Sequence, residues 1–276
     1  MASEHPSHVL KRLERQARKR FGQNFLVDQN ITQRIARLAG AGEGVRVIEV
    51  GPGLGALSRA LLGTGCVLRA VELDRDLVSF LAQDLPELDV VSGDALKVDW
   101  DEVAPGEGWV LCANLPYNVG TAILTRMAAS APRFRRLVVM LQREVAQRVV
   151  AQVGDKARGS LSVHIQAYGR PRIALTVEPG SFHPRPKVRS SVIEVVLHEE
   201  PRLGGASPAF FQRTVRAGFS QRRKTLENAL GSQFDKPMVR RVVAESVGAG
   251  RRAETLHLEE WGVLACALEA AACSDA

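Results

Sequence analysis

Short apolar runs alternating with helix-like segments constrain this chain more than any other feature. The runs are Val45–Val50, Val67–Glu72, Leu88–Ser92, Trp109–Ala113 and Leu137–Leu141. Between them fall segments such as Leu57–Leu62, Asp74–Leu85 and Thr121–Ala129, whose apolar residues recur at helical spacing. Strands separated by helices indicate a parallel sheet, so the pattern predicts an α/β fold with helices on both faces. Upstream, Asp28 is placed to cap a helix carrying Ile31, Ile35 and Leu38 on one face, with Gly40 near its end.

The pattern changes in the second half. Arg172–Val177 and Ser191–His198 are two strands joined by a Pro-rich loop, which predicts an antiparallel closing element. Beyond Pro201 and Gly204-Gly205 only helical patterns remain: Ala209–Phe219, Lys224–Leu230, Met238–Val247 and Leu258–Cys273. The expected division is a basic arm over 1–20, an α/β domain over 21–203 and a small all-helical domain over 204–276. A chain of 276 residues is long enough for that arrangement.

Composition narrows the function. No apolar run is long enough to span a bilayer, and the N-terminus lacks a secretory apolar core. Its arginines resemble those of a transit peptide, but Glu4 and Glu14 argue against one. Cys66, Cys112, Cys266 and Cys273 show no C-x-x-C spacing and read as reduced, packed thiols of a cytoplasmic protein. No metal-ligand cluster is present in the sequence, and the six histidines are scattered. The net charge of +7 favours a polyanionic partner. Basic residues cluster at Lys11–Arg20, at Arg133, Arg135 and Arg136, and at Arg222, Arg223 and Lys224. Three clusters look like a nucleic-acid footprint rather than a uniform basic bias.

Two turns carry the chemistry. Glu49-Val-Gly51-Pro-Gly53-Leu-Gly55-Ala56 follows the first strand of the alternation and opens a helix, and Glu72 ends the next strand. Glycines there let the backbone approach a ligand, and a carboxylate at that distance accepts from ribose hydroxyls. These features suit either NAD or S-adenosyl-L-methionine. Asp94, in Gly93-Asp94-Ala95, is placed to accept from an adenine amine, or it merely caps a turn.

The second turn, Asn114-Leu115-Pro116-Tyr117, closes the strand Trp109–Ala113. A carboxamide oxygen and a main-chain carbonyl at that point can accept both N–H bonds of an exocyclic amine, while a Tyr ring stacks on the base. Hydride transfer gives no reason for such a turn, so it favours S-adenosyl-L-methionine over NAD. Phe182, in the Pro-rich loop, is a candidate for the second face of a base sandwich, or else a core anchor between strands. Gly120 and Thr121 are small enough to leave room for an amine that already carries a methyl.

Seven segments occur in order. They are Arg20-Phe-Gly-Gln-Asn24-Phe-Leu26, Glu49–Gly55, Glu72-Leu-Asp74, Asn114–Asn118, Leu141–Ala146, Phe182–Val188 and Gly218–Leu226. Together they resemble the KsgA-type small-subunit ribosomal RNA adenine dimethyltransferases over roughly residues 17–231. The resemblance implies a Rossmann-like class I methyltransferase domain, with a mostly parallel seven-stranded sheet and an antiparallel closing strand. It implies N6,N6-dimethylation of two adjacent adenines in the 3′-terminal hairpin of 16S ribosomal RNA, coupled to 30S assembly. The partner would be ribosomal RNA within a pre-30S particle, met by a monomer. It also implies that Asn24, Leu26, Gly51, Glu72, Asp94 and Asn114 contact S-adenosyl-L-methionine, with Asn114 facing the target amine as well; the turn chemistry adds Gly53 to the cofactor set and Leu115, Tyr117 and Phe182 to the residues expected to act on the adenine. Arg222, Arg223 and Lys224 would dock RNA phosphates.

The chain departs from the family pattern at Arg158, Ser160 and Arg189, and in having Gly120 where a Ser is common. Rival readings are an Erm-type 23S ribosomal RNA methyltransferase, a mainly RNA-binding assembly factor and a DNA amino-methyltransferase. The Leu before Pro116 and the Phe182–Val188 and Gly218–Leu226 segments favour the small-subunit enzymes.

Overall fold

A computed structural model describes residues 24–274. The basic arm over 1–20 lies outside the described residues. The chain divides into two compact units. Among the described residues, one comprises 24–146 together with 170–199, and the other comprises 147–169 and 200–274.

The first unit opens with a two-residue strand, β1 (Phe25–Leu26), and helix α1 (Gln29–Ala39). Asp28 caps α1 by accepting from the Asn30 N–H at 3.0 Å, and Gly40 ends it in the left-handed region. The alternation follows as β2 (Arg46–Val50), α2 (Ala56–Leu62), β3 (Val67–Glu72), α3 (Arg75–Asp84), β4 (Asp89–Ser92), α4 (Trp100–Val103), β5 (Trp109–Asn114), α5 (Gly120–Ala128) and β6 (Phe134–Gln142). After α6 (Arg143–Val150) and α7 (Ser160–Tyr168) come β7 (Gly169–Val177), β8 (Phe182–His183) and β9 (Ser190–Leu197).

Seven strands form one sheet in the order β4-β3-β2-β5-β6-β9-β7. The pairs β2/β3, β2/β5, β3/β4 and β5/β6 are parallel, and β9 runs antiparallel to β6. This is the Rossmann-like sheet with a reversed closing strand that the sequence leads one to expect. The central strands are apolar without alternation because both faces are covered; Val110–Ala113 and Leu137–Met140 are fully buried. At β2 the strand order turns outward in both directions, with β3 on one side and β5 on the other. Ligands of such sheets sit at the carboxyl ends of the strands flanking this point. Those ends are Val50, Glu72 and Asn114.

The second unit is helical: α7 with α8 (Pro208–Gly218), α9 (Leu226–Leu230), α10 (Lys236–Ser246) and α11 (Leu258–Ser274). Its core centres on Trp261 and Phe211, and the Trp261 ring stacks on Phe219 with centroids 5.5 Å apart. Within the described residues the sequence suggests a single boundary, near 203. The contacts also assign 147–169 to the helical unit. The reason is local: α7 buries Val163, Ile165 and Ala167, the Ala167 carbonyl accepts from Arg202 N–H at 2.8 Å, and Arg158 reaches the Leu256 carbonyl at 3.0 Å. No described helix is long and apolar enough to cross a membrane.

Candidate active site

The carboxyl ends of β2, β3 and β5 open onto one cleft that runs out to solvent. Its walls bring together Asn24, Leu26, Gly51, Gly53, Glu72, Asn114, Leu115 and Tyr117. Residues 90 apart in sequence meet there: Asn114 Nδ2 donates to the Asn24 carbonyl at 2.9 Å. A carbonyl only accepts, so this bond fixes which end of the Asn114 carboxamide is nitrogen and which is oxygen. The segment carrying Asn24 is pinned in turn. β1 pairs antiparallel with β8, Leu26 opposite Phe182, and Val27 N–H donates to the Ser181 carbonyl at 2.9 Å.

Gly51 stands at φ +70°, and a Cβ built there would meet nothing within 4 Å. The space beside it belongs to the cleft, so the bare backbone leaves room for a ligand. Glu72 is buried and spans the next turn, one oxygen accepting from Gly53 N–H at 3.2 Å and the other from Asp74 N–H at 2.9 Å. Burial pushes its pKa up, and those two backbone bonds oppose the rise.

Glu49 and Leu73 are among the lining residues that were not singled out from the sequence. Glu49 is only 1% exposed, and Ser58 Oγ donates to it at 2.6 Å. Burial raises its pKa to about 8, and the neighbouring Glu72 charge adds to the rise. A carboxyl inside the otherwise apolar run Val47-Ile48-Glu49-Val50 was the available signal. Leu73 lines the cleft with 53% of its surface exposed, an apolar face open to a flat ligand. Its position between two acidic residues conceals it in sequence.

On the other wall, Leu115 is buried, and its N–H donates to the Met140 carbonyl at 3.2 Å. Among the described residues its own carbonyl accepts no hydrogen bond. The Tyr117 hydroxyl lies 2.7 Å from Ser190 Oγ, and burial raises its pKa. Gly120 does not line the cleft. A Cβ there would come within 3.1 Å of both Leu115 Cβ and Leu141 Cδ2, so this glycine lets α5 pack against the turn instead of leaving room in the pocket. Thr121 is exposed and also outside the lining.

Two predicted site residues stand apart from the cleft walls. Phe182 is 3% exposed and packs in the core with Phe25, Leu26 and Ile31. As placed it is the anchor under β1, the second of its two sequence readings. Asp94 lies one strand over from Glu72, next to Gly93, whose N–H donates to the Glu72 carbonyl at 2.8 Å. Its carboxylate accepts from Leu96 N–H at 2.9 Å, which is a capping geometry.

The basic clusters resolve unequally. Arg133 pairs with Asp101, and Arg136 pairs with Glu194 at 3.4 Å while also donating to the Leu38 carbonyl at 3.0 Å. These two are spent within the fold. Arg222, Arg223 and Lys224 are exposed, and Arg222 Nη2 also donates to the Lys156 carbonyl at 2.6 Å. Of the departures from the family pattern, Arg158 is buried in the helical unit, and Arg189 pairs on the surface with Glu178 at 3.0 Å. Among the described residues no cluster of His, Cys, Asp or Glu has the makings of a metal site.

The sequence profile described as "Ribosomal RNA adenine dimethylase" matches residues 14–268. The chain is 43% identical to the "Ribosomal RNA small subunit methyltransferase A" of Moorella thermoacetica, covering 91% of this chain and 92% of that one. It is 44% identical to the protein of the same name from Syntrophotalea carbinolica, covering 90% and 95%. Among solved structures it resembles a dimethyladenosine transferase from Plasmodium falciparum, with a TM-score of 0.74, 23% identity and coverage of 87% and 95%. It also resembles the 23S rRNA methyltransferase ErmE, with a TM-score of 0.65, 26% identity and coverage of 89% and 100%.

Proposed function

The chain belongs to the ribosomal RNA adenine dimethylase family, and we propose that it dimethylates N6 of two adjacent adenines in the 3′-terminal hairpin of small-subunit ribosomal RNA, using S-adenosyl-L-methionine. The observation that carries this reading is the oriented Asn114 carboxamide facing the same cleft as Glu49, Gly51 and Glu72. Relatives about 43% identical along nearly the whole chain are named small-subunit enzymes, which favours that substrate over the 23S target of ErmE.

The cleft suits the cofactor chemically. Glu49, with Gly51 leaving space beside it, would face the cationic methionine end. Glu72 retains lone pairs for the ribose hydroxyls, and Leu73 offers an apolar bed for the adenine, with Asp94 beyond it toward the amine. Asn24, Leu26 and the Gly53 turn would close around the ligand. When bound, the cofactor supplies a sulfonium methyl that is already electrophilic.

The protein's own task is the adenine amine, whose lone pair is delocalised into the ring. The Asn114 carboxamide oxygen and the Leu115 carbonyl would accept the amine's hydrogens and direct its lone pair at the methyl. They would also stabilise the positive charge that develops on nitrogen. Holding nitrogen and methyl in line supplies much of the remaining acceleration. Tyr117, its hydroxyl anchored on Ser190, would stack on the flipped base. Phe182 would supply a second face only after leaving its core position. Arg222, Arg223 and Lys224 would hold phosphates. The setting is a monomer acting in the cytoplasm on a pre-30S particle during assembly.

The test is to incubate purified protein and labelled cofactor with unmethylated small subunits and, separately, with large subunits, then map modified nucleosides by mass spectrometry. Two neighbouring N6,N6-dimethyladenines in small-subunit RNA are expected. Label confined to large-subunit RNA would establish the Erm-type reading, and binding without any label would establish a non-catalytic assembly factor.

A further inference from the structure

The helical unit carries a second concave surface, separate from the cofactor cleft. A groove runs along the exposed face of α8, lined by Gln212, Arg213, Arg216 and Ser220, with Gln233 also in its lining. Its lining holds two guanidinium groups and no carboxylate. Elsewhere arginines such as Arg59, Arg69, Arg133, Arg189 and Arg251 face an acidic partner. Arg213 is held in place by neutral groups instead. Its Nη2 donates to the Gln233 carbonyl at 2.9 Å, and its guanidinium carbon lies 4.5 Å from the centroid of the Phe234 ring. That ring is backed by Phe210 at 5.5 Å. The guanidinium is therefore ordered in advance while its charge stays uncompensated, which lowers the entropy cost of using it.

Arg216 follows three residues later on the same helical face, and its side chain forms no hydrogen bond or ion pair with the described residues. The amide of Gln212 adds a neutral donor, and the Ser220 hydroxyl, which donates to the Ala217 carbonyl at 2.7 Å, keeps lone pairs that can accept. Two residues past Ser220 the chain enters the exposed Arg222-Arg223-Lys224 turn, so the positive strip continues.

We propose that this groove is a second RNA seat, in which Arg213 and Arg216 take phosphates of the sugar–phosphate backbone, Gln212 bonds phosphate or 2′-hydroxyl oxygens, and Ser220 Oγ accepts from a 2′-hydroxyl. The proposal rests on the reading that the substrate is RNA. An open, elongated trough lined by cationic and hydrogen-bonding groups suits a nucleic-acid backbone. An acidic peptide would also look for an apolar anchor, and the Phe210 and Phe234 rings are occupied with each other and with Arg213.

The test measures the affinity of the full-length protein for unmethylated small subunits across a salt series. Arg216→Gln is the decisive variant, because Arg216 supports nothing in the fold. Its slope of log affinity against log salt should shrink by about 0.7–0.9, the contribution of one phosphate contact. Affinity at low salt should fall several-fold, the melting temperature should stay unchanged, and Arg216→Lys should retain the wild-type slope. Arg213→Gln should add a similar decrement. An unchanged slope and affinity in Arg216→Gln, with a wild-type protein that methylates small subunits, would overturn the groove alone. A flattened slope with a wild-type protein that transfers no methyl would uphold the groove and reject the enzymatic reading.

Discussion

Each unit holds an ionisable side chain almost wholly sealed from water, and these two groups cope in opposite ways. Glu49 in the cofactor cleft and Arg158 in the helical unit are 1% and 2% exposed. The carboxyl can shed its charge. Burial lifts its pKa to about 8, so near neutrality it keeps its proton beside Ser58. The guanidinium has no such exit at any ordinary pH. Burial lowers its pKa, but the group stays charged and is surrounded by oxygens: the Ala151 carbonyl at 3.3 Å, the Leu256 carbonyl at 3.0 Å and Gln166 Oε1 at 3.5 Å. A buried group whose charge can be switched belongs where a charged ligand comes and goes. A buried group whose charge is permanent belongs where chain segments must be tied together.

The sharpest test of the cleft side is Asn114→Ala. Methyl transfer should fall by on the order of 10²–10³-fold, while cofactor affinity measured by calorimetry changes far less. Near wild-type turnover would remove Asn114 from the chemistry. Next in size is Arg158→Ala, which strands several carbonyl oxygens in the helical core. Urea unfolding should lose about 3 kcal/mol, with cofactor affinity unchanged. If affinity dropped and stability held, the contrast between the two buried groups would be lost.

Glu49→Gln tests the switchable charge. The native state holds a proton that the unfolded chain releases near its ordinary pKa of 4.5. From there up to about pH 8 the folded form binds more protons, so stability falls as pH rises, by at most about 1.4 kcal/mol per pH unit. The glutamine variant has no proton to hold. It should match wild type near pH 4.5 and unfold at a progressively higher temperature than wild type toward pH 8. Parallel melting curves across that range would refute the idea. The smallest effect concerns Arg133→Gln. Because this side chain is already paired with Asp101, the salt dependence of RNA binding should not change, whereas neutralising Arg222, Arg223 and Lys224 should flatten it. Equal flattening in both would place Arg133 in the footprint as well.

What could be read directly was whatever depends on near neighbours in the chain. The alternating apolar runs reported the sheet because each strand's burial is written in its own residues. The strand-end carboxylate Glu72 and the Asn114 turn were visible because a parallel sheet brings its carboxyl ends to one edge whatever the loops do. Glu49 was within sight as a charge in a buried strand. Leu73 was not, since exposure inside a cleft leaves no mark on composition.

Long-range pairing was beyond the sequence. The bond from Asn114 to Asn24, the pairing of Leu26 with Phe182, the burial of Phe182, and the transfer of α7 and Arg158 to the helical unit all join segments far apart in the chain. So do the ion pairs that consume Arg133 and Arg136. Local propensity and periodicity determine which elements form and which faces are apolar. Which distant partner satisfies a given amide, ring or charge is decided only when the chain closes, because burial and hydrogen bonding are settled by whatever arrives alongside.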